Sequence, residues 1–266
     1  MIAIIALGPL ELAIAAVLVL LGAAVSLALR LGVERRLTTA AVRAVVQLTL
    51  LGLVLEWIFA AESPLVVAAM MTFMALVAGL EAVRRTTHRV RGMLPRSMAV
   101  MLGSSALVTF YGLLAVIRVE RWWEPQYAIP ILGMVLGNML NGISLGLEAS
   151  LEGFARERDR IELLLAHGAT RREASHDVVR RAMRLGSIPA INMMVAAGLV
   201  SIPGMMTGQI LSGEAPGAAA RYQIFILFCI VGGVVLGTFG IVVASSRLVF
   251  DERDRLRVER IQVRDK

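Results

Sequence analysis

The chain has 266 residues, a formal charge of +7, 58% hydrophobic residues and a single cysteine, Cys229. A mean hydropathy of +0.76 excludes an ordinary soluble domain and places the chain among polytopic membrane proteins. One cysteine excludes an internal disulfide and a multi-thiolate metal site within the chain. Because the basic excess collects in alternate loops, it reads as membrane topology and not as a nucleic-acid surface.

Uncharged apolar stretches run over Leu12–Leu29, Ala44–Leu55, Ser63–Leu80, Ser97–Ile117, Pro125–Leu147, Leu185–Gly213 and Tyr222–Ser246, and all but the second hold at least 18 residues. A helix crosses the hydrocarbon of a bilayer with ~20 mainly apolar residues. The predicted fold is therefore all-α, a polytopic membrane helix bundle of seven transmembrane helices forming one transmembrane domain over residues 1–266. Arginines follow the first, third, fifth and seventh stretches, with eight of them between Arg156 and Arg184, whereas the other loops hold only Arg118, Arg121 and Arg221. By the positive-inside rule the N-terminus lies outside and the C-terminus inside. The expected location is the cell membrane, crossed several times.

No basic residue precedes Arg30, so the first stretch lacks the positive flank of a cleaved signal and is expected to stay as a span. In the second, Arg43 and Gln47 stand one turn apart and share a face. Arg43 is close enough to the inner end to snorkel, while Gln47 is deeper. The pair either attracts an anionic group or steadies polar groups elsewhere. Trp122 and Trp123 beside the fifth stretch mark an outer headgroup belt.

The fifth stretch carries the main polar stripe. Asn138, Asn141, Ser144 and Glu148 fall within about a third of the helix circumference at ~100° per residue. Polar groups inside a membrane face the bundle interior or a watery cavity, so the stripe lines a passage or bonds helices together. Beyond it, residues 148–185 form the long inner loop, read as an amphipathic cytoplasmic segment. A first helix ends near His167, Gly168 closes it in the left-handed conformation, and Thr170 with Glu173 has capping-box spacing for a second helix. Such an element either docks a partner or lies on anionic lipid.

The sixth stretch is too long for one straight span. Pro203 and Gly204, with Ser201, Met205, Met206 and Gln209 around them, predict a kink or break toward the outer side. Asn192 adds a polar candidate for the path. The clustered methionines raise the idea of soft copper(I) ligands, but packing is the commoner use of methionine. His88, His167 and His176 fall in inner loops and receive no metal role. A basic cytoplasmic tail, 247–266, follows the last span.

The only lysine is Lys266, so the chain cannot hold a phosphate-binding GxxxxGK loop, and no familiar hydrolase motif is present. The chain is not expected to be an enzyme or to bind a cofactor. The segments RAVVQLTLLGLVL from Arg43, IPILGMVLGNMLNGISL from Ile129, RIELLLAHGAT from Arg160 and IPAINMMVAAGLVSIPGMMTGQILSGEAP from Ile188 resemble the membrane subunits of bacterial iron-export ABC transporters of the FetB type and their plant aluminium-sensitivity relatives. The resemblance implies a permease, paired as a homodimer with two separate ATP-binding subunits that hold ATP and Mg, exporting iron or a related metal. It assigns Glu162, Gly168, Ala169 and Thr170 to ATPase coupling. On the permease reading, the polar candidates Asn138, Asn141, Ser144, Glu148, Gln47, Arg43 and Asn192 line the path, and the broken stretch with Ser201, Pro203, Gly204, Met205, Met206 and Gln209 forms a gate. An ion-gradient transporter or channel for a cation or polar solute is the alternative. Metal ligands are not assigned.

Overall fold

A computed structural model describes residues 8–263 and is helical nearly throughout. The chain divides into two compact units, one made of the chain up to Glu62 together with Leu211–Gly213, the other of Ser63–Ile210 and Glu214 onward.

The first unit is a helical hairpin of α1 (Pro9–Ala28) and α2 (Glu34–Ala61). Pro9 opens α1, where its missing N–H costs nothing. The turn between the helices uses two left-handed residues, Arg30 and Gly32. It is tied by the Ser26 hydroxyl, which donates to Glu34 (2.8 Å) and accepts from the Val33 N–H (3.2 Å). Both helices are long and apolar with little burial within the chain, as expected of surfaces that meet lipid.

The second unit packs α3 (Pro64–Arg84), α4 (Met93–Phe110), α5 (Pro125–Arg156), α7 (Arg171–Ala196) and α9 (Pro216–Val249) around α5, which touches all the others. Prolines stand in the first turns of α3, α5 and α9, the position that tolerates them. Glycine brings backbones together where the helices cross. Gly79 of α3 lies so near α4 that a Cβ there would sit 2.8 Å from Met98 Cα, and the Ser97 hydroxyl donates to the Gly79 carbonyl (2.9 Å). Past Phe110, α4 continues as a π-helix over Tyr111–Ile117, which Arg118 ends in the left-handed conformation. Trp122 closes that end edge-on against Phe110.

Among the described residues six helices are long and apolar enough to cross a membrane: α1, α2, α3, α4 with its π extension, α5 and α9. The predicted seventh crossing, over the sixth apolar stretch, is not one continuous helix. Instead α7 ends at Ala196, Ala197 turns extended, Gly198 takes φ +82°, and the short α8 (Gly204–Leu211) starts after Pro203. Gly198 supplies the conformation that stops α7, and its N–H donates to the Ser201 carbonyl (2.9 Å). Pro189, inside α7, does not end the helix.

At the other end of this unit three arginine-rich segments converge. The strand β1 (His88–Val90) between α3 and α4 pairs antiparallel with β2 (Ile261–Val263) of the tail. The helix α6 (Arg158–Ala166) folds back between α5 and α7. That the predicted inner loops after α3, α5 and α9 meet at one end agrees with the charge alternation in the sequence.

Candidate translocation path and docking element

The polar stripe of α5 is engaged chiefly with the end of α3 and the segment after it. Asn141 accepts from the Arg85 guanidinium (3.0 Å). The Ser144 hydroxyl lies 2.7 Å from its own helix carbonyl at Leu140 and 3.2 Å from the Ala82 carbonyl of α3. Glu148 accepts the backbone N–H groups of Thr87 (2.8 Å) and His88 (3.1 Å) on one oxygen, and its other oxygen is 2.8 Å from His88 Nδ1. Asn138 donates to the Met134 carbonyl one turn back. Three of the four stripe residues thus bond across elements, and His88 is a structural partner of Glu148.

The other path candidates belong to α2, to α7, to α8 and to the connection between the last two. Arg43 and Gln47 are exposed on α2, in the first unit. Asn192 is exposed on α7, while Met205, Met206 and Gln209 are half-buried on α8. Ser201 and Pro203 belong to the connection between those helices, where Leu199 and Val200 are 89% and 86% exposed. Among the described residues no three His, Cys, Asp or Glu side chains come together as a metal site.

The helix–turn–helix expected from the sequence is present. After α6, Gly168 takes φ +89° and the Ala169 N–H returns to the Leu164 carbonyl (3.0 Å), closing the helix as left-handed glycine does. Thr170 caps α7 reciprocally: the Glu173 N–H donates to its hydroxyl (3.3 Å), and the Glu173 carboxylate accepts its N–H (2.7 Å) and its hydroxyl (2.7 Å). Those two bonds hold the Glu173 carboxyl below its ordinary value.

Ion pairs fix α6 against its neighbours. Glu157 meets Arg181 (2.5 Å) and Arg160 (3.4 Å), and Arg160 also pairs with Asp177. The Arg160 guanidinium, and then His176, lower the Asp177 carboxyl. Glu162 of the coupling set pairs with Arg158 (2.8 Å). Ile161 is buried beneath α6, whereas Leu163 is 59% exposed beside the exposed Ala166, His167 and Gly168. Leu163 thus leaves an apolar side chain exposed near the end of α6, just before the turn. Sequence periodicity did not single it out because α6 is only nine residues long.

Next to this turn the tail is ordered. The Asp251 carboxylate accepts the Arg253 and Arg255 N–H groups (2.9 Å each) and the Nε of Arg255 and Arg257 (3.0 Å each). The Arg255 N–H is the main cause of a carboxyl pushed far below its ordinary value. Phe250 stacks edge-on against Phe154, and Arg171 meets both Phe250 (5.9 Å to the ring) and Asp254 (3.4 Å).

These depressed carboxyls set a pH dependence. Their contribution is complete above the ordinary values of 4.5 for Glu173 and 3.8 for Asp177 and Asp251, and it is lost as pH falls through the lower folded values. Hydrogen exchange, corrected for its intrinsic pH dependence, should show α6, the first turn of α7 and residues 250–260 loosening below about pH 4, before α5 and α9 do. Simultaneous loosening of all five would count against it.

Long apolar helices gathered on α5, with arginine-rich segments at one end, define a polytopic helical membrane protein. The chain belongs to the family described as "Uncharacterised protein family (UPF0014)", whose model matches residues 9–250. It is similar to the UPF0014 membrane protein slr1647 of Synechocystis, 34% identical over 90% of this chain and 93% of the relative. It is also similar to ALUMINUM SENSITIVE 3 of Arabidopsis thaliana, 31% identical over 87% of this chain and 83% of the relative. To the probable iron export permease protein FetB of Escherichia coli it is 28% identical over 95% of this chain and 96% of the relative. No solved structure matches the chain.

Proposed function

We propose that this chain is the membrane subunit of an ABC exporter, working as a homodimer with two copies of a separately encoded ATP-binding subunit. The observation that carries the reading is the ordered helix–turn–helix of α6 and α7, with its reciprocal Thr170 cap and exposed Leu163. A solvated loop has no need of either. The partner binds ATP and Mg, and this chain supplies the path and the coupling turn. Likeness to FetB supports iron or a related metal as cargo and export as the direction. The α5 stripe, together with Gln47, Arg43 and Asn192, is the proposed path, and the connection from Ser201 through Gln209 is the proposed gate. Irregular backbone at membrane depth is tolerated where it lines a cavity.

The test is ATP-driven metal loading of inside-out vesicles holding both subunits, with iron compared against other divalent cations. Iron accumulation that needs the ATPase is expected. Flux driven by an ion gradient without the ATPase would overturn the reading. Gly168→Val has room, since nothing lies within 4 Å of the added Cβ, but φ +89° strains it by about 1–2 kcal/mol. It should lower transport roughly tenfold per ATP hydrolysed, while the melting temperature of the purified subunit falls by only a few degrees.

A further inference from the structure

The tail after α9 forms one wall of a groove whose other wall is α6. The groove encloses about 610 Å³, with Leu165, Ala169 and Leu256 as its apolar lining and Arg158, Arg253, Arg255 and Arg257 facing it beside Glu162, Asp254 and Glu259. Ala169 is also the last residue before the Thr170 cap, so the groove is continuous with the coupling turn.

Fixing a polar segment costs about 1–2 kcal/mol per residue in backbone entropy alone, and here several interactions oppose that cost. Four N–H groups converge on Asp251, Arg260 donates to the Leu248 (2.9 Å) and Phe250 (3.2 Å) carbonyls, and β2 pairs with β1. Phe250 and Leu256 are buried. A tail that served only as a positive flank for the last span would need none of this.

We infer that the tail is a second jaw of the docking surface, and that the groove receives an acidic segment with an apolar anchor from the ATP-binding partner. This rests on the proposed pairing with an ATPase. Charge decides the class of occupant. Arg158 is paired with Glu162, and Arg257 with Asp251 and Glu259, whereas Arg253 contributes its backbone N–H to Asp251 and leaves its guanidinium on the groove. A carboxylate on the partner would complete that position, while Leu165 and Leu256 would take the anchor.

The experiment measures binding of the ATPase subunit to the full chain in nanodiscs, for the wild type, Arg253→Glu and Asp251→Ala. Arg253→Glu lies on the surface and leaves the fold intact. It should weaken binding about tenfold and flatten its salt dependence. Asp251→Ala unties the tail and should weaken binding at least as much, with the circular dichroism of the bundle unchanged. Wild-type affinity in Arg253→Glu would overturn the second jaw while leaving the ABC pairing standing. A wild-type chain that binds no ATPase would overturn both. Weakening seen only with anionic lipid in the disc would assign the groove to headgroups, and a variant that changes oligomer size alone would assign it to a second copy; either result overturns the inference.

Discussion

Gly142→Val or Gly186→Val should abolish recovery of monodisperse protein, because α5 and α7 touch backbone to backbone at this pair. A Cβ on Gly142 would stand 2.9 Å from the Gly186 carbonyl oxygen and 2.6 Å from Val234 Cγ1, and one on Gly186 would stand 2.6 Å from the Gly142 carbonyl oxygen. Carbonyls cannot rotate aside as a flexible side chain can. Overpacking a well-packed site costs about 1–3 kcal/mol, and here the rigid helices of three elements would have to separate, since Thr238 of α9 closes the same crossing. Gly137, on the same helix with nothing within 4 Å of its would-be Cβ, is the control. Gly137→Ala should express and elute like the wild type in size-exclusion chromatography. If the valine variants behave like that control, the crossing is looser than described.

Glu148→Ala is the second large effect. The carboxylate of Glu148 is the acceptor that Thr87 and His88 N–H groups share, and it also meets His88 Nδ1. Its removal leaves two part-buried donors without their partner at about 1–3 kcal/mol each, and it releases β1 from α5. The melting temperature of the purified subunit should fall by several degrees. Glu148→Gln keeps an acceptor oxygen for the two backbone donors and should lose far less. Equal losses in the two variants would show that the negative charge, and not the acceptor geometry, holds this joint.

Much of the fold is legible in the sequence, and so is the local structure of the turn between α6 and α7. Apolar length marks five of the six membrane-length helices, α2 being the exception because its uncharged stretch is the short Ala44–Leu55, and Gly168 with Thr170 and Glu173 gives the turn between α6 and α7 because helix ends are written in local residue types. The break expected in the sixth stretch falls earlier than Pro203, at Gly198, whose left-handed φ stops α7. A glycine in an apolar run carries no such mark in the sequence. The α5 stripe is read correctly as one face, yet the identity of its neighbours depends on tertiary pairing. Arg85 reaches Asn141 and His88 reaches Glu148 across 56 and 60 residues of chain, separations at which spacing arguments are silent. The tail is the clearest gap: its arginines read as a solvated positive flank, and only Asp251, placed two and four residues before the N–H groups it accepts, turns them into a folded knot.

The glycine contacts between α5 and α7 have a mechanical side. From the cap at Thr170 to its end at Ala196, α7 is a single rod of 26 residues, about 39 Å long at 1.5 Å per residue. Its seat on α5 leaves no slack where Gly153 receives Val178 and where Gly142 meets Gly186. Under the proposed coupling, a tilt applied at the turn would pass along α7 to the irregular stretch beyond Ala196, where left-handed Gly198 interrupts the helix and gives the chain its first chance to bend.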